Sequence, residues 1–254
     1  MDKRPYLLLA NDDGYDALGL SFLIEVLRED YDLLVVAPDG PRSGFSTAFT
    51  VMSPIAMRSV REEEGLSVYA CSGTPADCVK VALNRYTRRR PDLVVSGVNH
   101  GDNSSVNAHY SGTMGVAFEA SLQGIPAIAF SICDYSPKAN FEPLRPYVKD
   151  MVSRVLREGM PPLTCLNVNF PLRSTFEGVK VCRMGNCRWE KEIVDCPSPR
   201  HDAEFYWMAG NLTNLEPEAE DTDRWALDHG YIAITPTTLD NTDYRYREIL
   251  LNSW

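Results

Sequence analysis

The sequence predicts an α/β protein with a mostly parallel sheet flanked by helices. Short runs of β-branched residues and leucine recur through about the first 130 of its residues, separated by stretches with apolar residues at helical spacing. This alternation is typical of a parallel sheet that helices cover on both faces. Hydrophobic residues make up 44% of the 254-residue chain, which is enough for a large buried core.

Five strands and three helices are predicted in this region. The strands are Tyr6–Ala10, Leu33–Ala37, Val68–Cys71, Leu93–Ser96 and Ala127–Ser131. The first helix is indicated by the helical spacing of Leu20, Leu23, Ile24 and Leu27. A second helix is predicted over Ala76–Leu83, with Thr74 as N-cap and Pro75 as the first helical residue. A third begins near Thr113 and ends at Gly124, whose small side chain suits a helix C-terminus.

The character of the sequence changes after the predicted core. A helix fits Pro143–Glu158 and a strand fits Leu166–Phe170. From about Val179 the chain becomes richer in aromatic and charged residues, with strand-like pieces at Glu204–Met208 and Tyr231–Thr235. These pieces indicate β-hairpins and extensions of the sheet rather than a second folding unit.

We therefore predict a single domain, residues 1–254, with a core over 1–175 and a β-hairpin and C-terminal extension over 176–254. The aromatic and apolar stretch Tyr244–Trp254 is expected to dock on this chain or to cross to a partner subunit. Leu215–Asp223 contains five carboxylates and is predicted to be an exposed acidic loop.

The charge and cysteine content narrow the function classes. With 35 acidic and 25 basic residues, the formal charge of -10 provides no broad positive field for duplex nucleic acid or an anionic membrane. The apolar run near the N-terminus is too short for a signal peptide, and no later run is long enough to span a membrane. We expect a soluble, cytoplasmic protein. Its seven cysteines favour reduced thiols, and Cys182, Cys187 and Cys196 lack zinc-knuckle spacing.

An acidic loop follows the first predicted strand, and ligands of open parallel sheets bind at the carboxyl ends of the strands. The loop is Asn11-Asp12-Asp13-Gly14. Its adjacent carboxylates repel one another unless a cation compensates, and hard divalent ions prefer oxygen ligands. A turn or a helix N-cap would explain the same residues, so both readings stay open here.

Three further strand-end loops carry polar residues. Arg42 and Ser43 follow the second strand and can contact phosphate or metal, although an ordinary surface loop has a similar composition. Asn99 and His100 follow the fourth strand between glycines, and Asn99 offers a neutral oxygen ligand. Ser111-Gly112-Thr113 leads into a helix whose first amides can bind an anion or be capped by the hydroxyls. Together these loops combine the cation ligands and anion donors that phosphoryl transfer needs.

Several strings of the sequence resemble the SurE family. They are LLLANDDGYDALGL, PRSG, CSGTPADCV, PDLVVSGVNHGDN, YSGTMGVAFEA and GIPAIAFS, which lie in order between residues 7 and 131. The remaining half of the chain resembles the family only loosely. The resemblance implies a metal-dependent 5′/3′-nucleotidase with a Rossmann-like core and a C-terminal extension exchanged between subunits, hence a homodimer or homotetramer.

By this resemblance the residues of a metal site are Asp12, Asp13, Ser43 and Asn99. It also implies that Asn11 supports the site or faces the substrate, and that Ser111, Gly112 and Thr113 contact phosphate. One divalent cation per subunit is implied, and an oxygen-rich ligand set favours Mg²⁺ or Mn²⁺. The chain departs from the family at Ser104–His109, where a further glycine is expected near the start of the loop. This departure affects loop conformation and substrate preference more than the metal site.

The predicted reaction is hydrolysis of nucleoside monophosphates, by attack of a metal-activated water on phosphorus. Asp12 and Asp13, with Asn11, are the predicted catalytic residues, and either Asp13 or His100 could protonate the leaving oxygen. Two alternatives remain. In one, Asp12 is a covalent nucleophile, as in haloacid-dehalogenase-like phosphatases, whose two aspartates are usually separated by one residue. In the other, the protein is a stress-regulatory protein that binds nucleotide without turnover.

Overall fold

The computed structural model describes residues 4–197 and 203–254. Its strands, β1 to β13 in chain order, are Tyr6–Ala10, Asp32–Pro38, Met57–Glu63, Leu66–Cys71, Leu93–His100, Ala127–Ile132, Thr164–Phe170, Val179–Val181, Cys187–Glu190, Ile193–Asp195, Tyr206–Met208, Asn211–Asn214 and Ile232–Thr238. Its α-helices, α1 to α6, are Leu18–Leu27, Pro75–Val81, Gly112–Leu122, Arg145–Glu158, Asp223–Asp228 and Tyr244–Leu251.

One nine-stranded sheet forms the centre of the protein, in the order β3-β4-β2-β1-β5-β6-β7-β13-β8. Neighbouring strands are parallel except for the pairs β3–β4 and β7–β13, which are antiparallel. The predicted α/β class with a mostly parallel sheet is therefore confirmed. The chain runs from β1 outward to β2 on one side and later adds β5 on the other side. The reversal between β1 and β5 is a topological switch point, where open α/β sheets bind ligands.

Apolar side chains cover both faces of the sheet. In β1, Leu7 and Leu9 pack on one side with residues of α1 and α4. Tyr6, Leu8 and Ala10 point the other way, toward α2 and α3. Alternate residues of a strand face opposite sides of the sheet, so a strand covered on both faces is apolar throughout. Every residue of β1 is buried.

The helix ends follow their sequence signals. The Thr74 hydroxyl accepts a hydrogen bond from the Asp77 amide at 3.1 Å, and the Asp77 carboxylate accepts one from the Thr74 amide at 2.9 Å. This capping box, with Pro75 after it, confirms the predicted start of α2. The α-helix ends at Val81, and a π-helical turn over Ala82–Tyr86 follows it. Gly124 follows α3 with a φ of +70°, as its predicted role requires.

Two antiparallel strand pairs in the C-terminal part form what we call the β-arm, residues 187–197 and 203–214. Strand β9 pairs with β12, and β10 pairs with β11, both antiparallel. The exposed large apolar side chains on its outer half include Ile193, Val194, Tyr206, Trp207 and Met208. Every residue of α6 is exposed or half-buried. Both elements therefore present apolar surface to the surroundings.

The acidic stretch Leu215–Asp223 departs from its predicted exposure at its C-terminal end. Thr222 and Asp223 are fully buried, and the Thr222 hydroxyl accepts a hydrogen bond from the Trp225 amide at the start of α5. The prediction of an exposed loop is therefore wrong for these two residues. They are buried because Thr222 caps a short helix while the Asp223 carboxylate accepts bonds from the main chain.

The cysteines are free thiols, in agreement with the sequence. Cys182 and Cys187 are buried and Cys196 is half-buried. In the ranges 4–197 and 203–254, no helix is long and apolar enough to cross a membrane.

Helix α1 approaches β5 so closely that a side chain at Gly19 would overlap the Val98 carbonyl oxygen. Gly19→Ala is therefore expected to destabilise the protein by about 1–3 kcal/mol, although alanine normally favours a helix. The free energy of unfolding in urea measures the effect. Ser21→Ala, at an exposed position of the same helix, is the matched control and should be neutral or slightly stabilising. Equal stability of the two variants would contradict this packing.

Candidate active site

An open cleft with a volume of about 820 Å³ lies beside the carboxyl ends of β1 and β5. Its lining residues are Asp12, Ser43, Gly44, Asn99, His100, Gly101, Asp102, Asn103, Asn107, Tyr110, Ser111, Tyr135, Trp189, Glu192, Met208, Ala209 and Gly210. The cleft therefore joins loops of the central sheet to the β-arm. It also lies at the switch point of the strand order.

The acidic pair follows β1 directly and is largely removed from water. Asp12 is 4% exposed, and one of its carboxylate oxygens accepts a hydrogen bond from the Thr113 hydroxyl. Burial raises the pKa of Asp12 to about 6; the Thr113 hydroxyl opposes this shift and the neighbouring Asp13 adds to it. Burial also raises the pKa of Asp13, while His100 partly offsets the shift. For both carboxylates, the neighbouring groups therefore offset only part of the cost of carrying a negative charge.

The Asp13 carboxylate has one buried oxygen, Oδ2. In the part of the chain that the structure describes, this oxygen has no hydrogen-bond partner. A buried carboxylate oxygen without a donor is costly, and a cation can compensate it. The chemistry of this group therefore fits a cation site.

Asn11 holds the shape of the acidic loop. Its side-chain nitrogen donates to the Gly14 carbonyl oxygen at 2.9 Å, and its oxygen accepts from the Gly14 amide at 3.2 Å. The side chain is fully buried. The side chain therefore fixes the shape of the loop, and a supporting or substrate-facing role of Asn11 in the site stays a prediction.

Asn99 is oriented by its own loop. Its side-chain nitrogen donates to the carbonyl oxygens of His100 at 3.1 Å and Gly101 at 2.7 Å. A flipped amide would set its oxygen against two carbonyl oxygens, so the hydrogen bonds fix which atom faces which way. The Asn99 oxygen lies 3.4 Å from the Thr113 hydroxyl oxygen, which donates its hydrogen to Asp12. This orientation leaves the Asn99 oxygen available to a cation, and its role as a ligand stays a prediction.

The turn after β2 is tied to the acidic loop through its backbone. The Arg42 amide donates to the Asp12 carbonyl oxygen at 2.7 Å, which brings the exposed Ser43 to the rim of the cleft. The Arg42 guanidinium bonds instead to Asp39 at 2.7 Å and to carbonyl oxygens of its own turn. Phosphate binding by Arg42 therefore stays a prediction that requires this side chain to reorient.

Helix α3 begins against Asp12. The Ser111 hydroxyl caps it by accepting from the Met114 amide at 3.0 Å. A Cβ at Gly112 would lie 2.7 Å from the Asp12 Cβ, so only glycine allows this approach. Since a helix N-terminus favours negative charge, it can stabilise the Asp12 carboxylate or an anion beside it.

His100 faces both the acidic pair and an apolar neighbour. Its ring lies 5.3 Å from that of Phe141 in an edge-on arrangement. Its Nδ1 is buried and has no hydrogen-bond partner within the described ranges. The sequence alone did not indicate this apolar packing.

The loop that departs from the family pattern adopts a conformation that favours glycine. Ser105 has a φ of +55°, which costs a non-glycine residue about 1–2 kcal/mol. Its amide donates to Asp223 at 2.8 Å and its hydroxyl donates to the Gly185 carbonyl oxygen at 2.8 Å. Each such bond contributes about 0.5–1.5 kcal/mol, so the two together offset the strain. A hydrogen-bonded serine therefore adopts a glycine-like conformation near the start of this loop.

Nothing in the sequence indicated one wall of the cleft, formed by residues 103–107 and the β-arm, which we call the far wall. Asn103, Asn107 and Trp189 line it together with residues of the β-arm. Asn107 and Trp189 are 82 positions apart, yet the indole N–H donates to the Asn107 oxygen at 2.9 Å. No local spacing carries a signal for such a pair.

The donor set of the candidate cation site is mixed. The residues that fit it are the carboxylates of Asp12 and Asp13, the oriented oxygen of Asn99 and the exposed hydroxyl of Ser43. Among the described residues, no group of three or more His, Cys, Asp or Glu side chains is placed to hold an ion. A cation here would therefore need the neutral oxygens, which suits a hard ion.

The fold and the site define an open α/β protein whose ligand cleft is built around a buried acidic pair at the switch point of the sheet. A family model described as Survival protein SurE matches residues 7–191. The chain belongs to the SurE family, and the predicted resemblance is confirmed.

Relatives match the chain over nearly its full length. It is 51% identical to the 5′-nucleotidase SurE of Bacteroides fragilis, with 100% of this chain and 98% of that protein covered. It is 38% identical to the 5′-nucleotidase SurE of Chlorobaculum tepidum, over 98% of this chain and 94% of that protein. A crystal structure of the SurE protein from Aquifex aeolicus aligns with a TM-score of 0.82 at 36% identity, covering 98% of this chain and 99% of that one.

Because Asp12 is buried, its substitution should change the free energy of unfolding of the protein when a chelator keeps it free of metal. Its folded pKa of about 6 lies above the ordinary value of 3.8, so keeping it ionised destabilises the folded protein above pH 6 by at most about 3 kcal/mol. This cost declines as the pH falls below 6 and is absent below 3.8, where the carboxyl is protonated in both states. Asp12→Asn is therefore expected to stabilise metal-free protein at pH 7.5 but not at pH 4.

Urea unfolding at both pH values with chelator present measures this difference. Asp16→Asn, an exposed position in the same loop, is the control and should change little at either pH. A destabilised Asp12→Asn protein at pH 7.5 would contradict the account of the acidic pair.

Proposed function

We propose that this protein hydrolyses nucleoside 5′-monophosphates to nucleoside and phosphate. The observation that carries the proposal is the acidic pair, in which the buried Asp12 lies beside Asn99 and the N-terminus of α3. The relatives named 5′-nucleotidase SurE, similar over nearly the whole chain, support the substrate class. Nucleoside 3′-monophosphates and short polyphosphates are further candidate substrates.

The proposed cofactor is one divalent cation per subunit, Mg²⁺ or Mn²⁺, held by Asp12, Asp13, Ser43 and Asn99. When bound, such a cation polarises a phosphoryl oxygen and acidifies a water molecule. Asp13 Oδ2 has no hydrogen-bond partner among the residues that the structure describes, and this oxygen and the fixed orientation of Asn99 support the ligand set. Two carboxylates and two neutral oxygens leave positions for water and phosphate.

The chain's own residues orient the phosphate and the acidic pair. Ser111, Gly112 and Thr113 lie at the start of α3, where backbone amides can donate to phosphate oxygens. Thr113 also fixes one Asp12 oxygen, and Asn11 holds the loop that carries the pair. Proton donation to the leaving oxygen is proposed for Asp13 or His100.

A cytoplasmic location and a homo-oligomer are also proposed. Free cysteines are typical of reducing compartments. The apolar faces of α6 and the β-arm support a subunit interface, because exposed apolar surface of this kind marks interaction sites. A homodimer and a homotetramer both fit this proposal.

The metal ligands give the sharpest test of the activity. Asp12→Asn and Asp13→Asn are each expected to lower metal-dependent phosphate release from nucleoside monophosphates more than about 100-fold, because even supporting residues of metal sites contribute about 10–100-fold. Phosphate release from a nucleotide panel with Mn²⁺, Mg²⁺ or chelator measures this. Asp16→Asn serves as control and should retain activity. Near-normal activity of either site variant would refute the site, and a phosphorylated Asp12 would indicate a covalent mechanism.

Removal of the C-terminal helix tests the interface. A chain ending at Asp243 lacks Tyr244–Trp254, of which Tyr244, Tyr246, Ile249, Leu251 and Trp254 are strongly exposed. We expect the truncated protein to form a smaller assembly than the full chain, because apolar contact area is lost. Light scattering coupled to size-exclusion chromatography measures the mass. An unchanged mass would show that α6 does not hold the subunits together.

A further inference from the structure

The far wall of the cleft depends on a carboxylate outside it. Asp223 begins α5 and is fully buried. Its Oδ2 accepts the amide of Ser105 at 2.8 Å, and its Oδ1 accepts the amide of Gly185 at 2.8 Å. These residues lie 118 and 38 positions away in the chain. One side chain thus bonds two backbone segments that are remote from each other in sequence.

The two segments lead to the same wall of the cleft. Ser105 belongs to the cleft loop, residues 101–109, and Gly185 lies two residues before the start of the β-arm at Cys187. The Ser105 hydroxyl donates to the Gly185 carbonyl oxygen at 2.8 Å, so the segments also bond each other directly. Each of the three residues Asp223, Ser105 and Gly185 is therefore hydrogen-bonded to the other two at the base of the wall.

A second contact joins the cleft loop to the β-arm nearer the cavity. The indole N–H of Trp189 donates to the Asn107 oxygen at 2.9 Å, and both residues line the cleft. An indole ring can stack on a nucleobase, and an amide can hydrogen-bond one. The wall therefore has the chemistry to bind the nucleoside part of a substrate.

The candidate metal site is held separately from this wall. Asp12 is fixed by Thr113, and Asn99 is fixed by carbonyl oxygens of its own loop. These contacts involve β1, β5 and α3 and no atom of Asp223. A change at Asp223 should thus alter the wall while leaving the phosphate end of the cleft in place.

We propose that Asp223 is a positioning residue that joins the cleft loop to the β-arm, so that Asn107 and Trp189 are placed to bind the nucleoside before the substrate arrives. This inference rests on the proposed nucleotidase activity and deepens it. A preformed wall lowers the cost of ordering two segments on binding, so it acts on substrate affinity rather than on the chemical step.

Asp223→Asn tests the proposal with two substrates that share a phosphate ester at the ribose 5 position but differ in whether they carry a base. Asparagine keeps the size of the side chain but turns an NH₂ group toward a backbone N–H. We expect the KM for adenosine 5′-monophosphate to rise about 10-fold or more while kcat changes less than about 3-fold. For ribose 5-phosphate, which lacks a base, kcat/KM should stay within about 2-fold of the original.

Two further variants keep the test decisive. Trp189→Phe retains an aromatic ring but loses the N–H that bonds Asn107. It should raise the KM for adenosine 5′-monophosphate while leaving ribose 5-phosphate unaffected, and it serves as the test if Asp223→Asn does not fold. Asp92→Asn is the matched control, because Asp92 accepts the Tyr6 amide at 2.7 Å remote from the cleft. It should leave both substrates unaffected.

The outcomes separate this inference from the proposed function. Folded Asp223→Asn and Trp189→Phe proteins with an unchanged KM for adenosine 5′-monophosphate, or with an equal loss for both substrates, would overturn the positioning role. Failure of the original protein to release phosphate from either substrate would overturn the nucleotidase proposal instead. Calorimetric dissociation constants for adenosine 5′-monophosphate would then decide the role of Asp223, with weaker binding to both variants expected.

Discussion

Two adjacent carboxylates at the end of a fully buried strand impose the main constraint on this structure. Asp12 is buried and Asp13 is half-buried, and burial raises the pKa of each. The Thr113 hydroxyl compensates part of the Asp12 charge, while a buried oxygen of Asp13 has no hydrogen-bond partner among the described residues. The neighbouring loops are arranged around this pair. Gly112 allows α3 to approach Asp12, and Asn99 turns its oxygen to the same place.

The sheet explains why these loops meet. Strand β1 lies between β2 and β5, so the loops after all three strands emerge at one edge near the switch point. The pairing of β5 with β6 becomes irregular between Ser96 and Asn99, and Gly97 lies so close to Phe130 that a Cβ would overlap its carbonyl oxygen. This irregular segment presents Asn99 toward Asp12. Loops at the edge of the sheet therefore form the end of the cleft that contains Asp12, and the β-arm supplies the other end.

Local patterns predicted the elements that local chemistry determines. Tyr6–Ala10 and its neighbouring strands are continuous apolar runs, and the Thr74-Pro75 pair is a direct start signal for α2. The family and the position of the acidic pair could also be predicted, because their motifs are short and contiguous. The ion pair of Arg42 with Asp39 could not, since a guanidinium can bind a neighbour or a ligand. Asp223 was predicted as exposed from its acidic surroundings, whereas its partners lie far away in sequence.

The proposed divalent cation would compensate the charge of the acidic pair. Calorimetric titration with Mn²⁺ at pH 6, repeated in buffers of different ionisation enthalpy, tests this proposal most directly. Because burial raises the pKa of Asp12 to about 6 and also raises that of Asp13, we predict one site per chain and a net release of protons when the ion binds. The Asp13→Asn variant should bind far more weakly. Absence of binding, or binding without proton release that survives Asp13→Asn, would contradict the account.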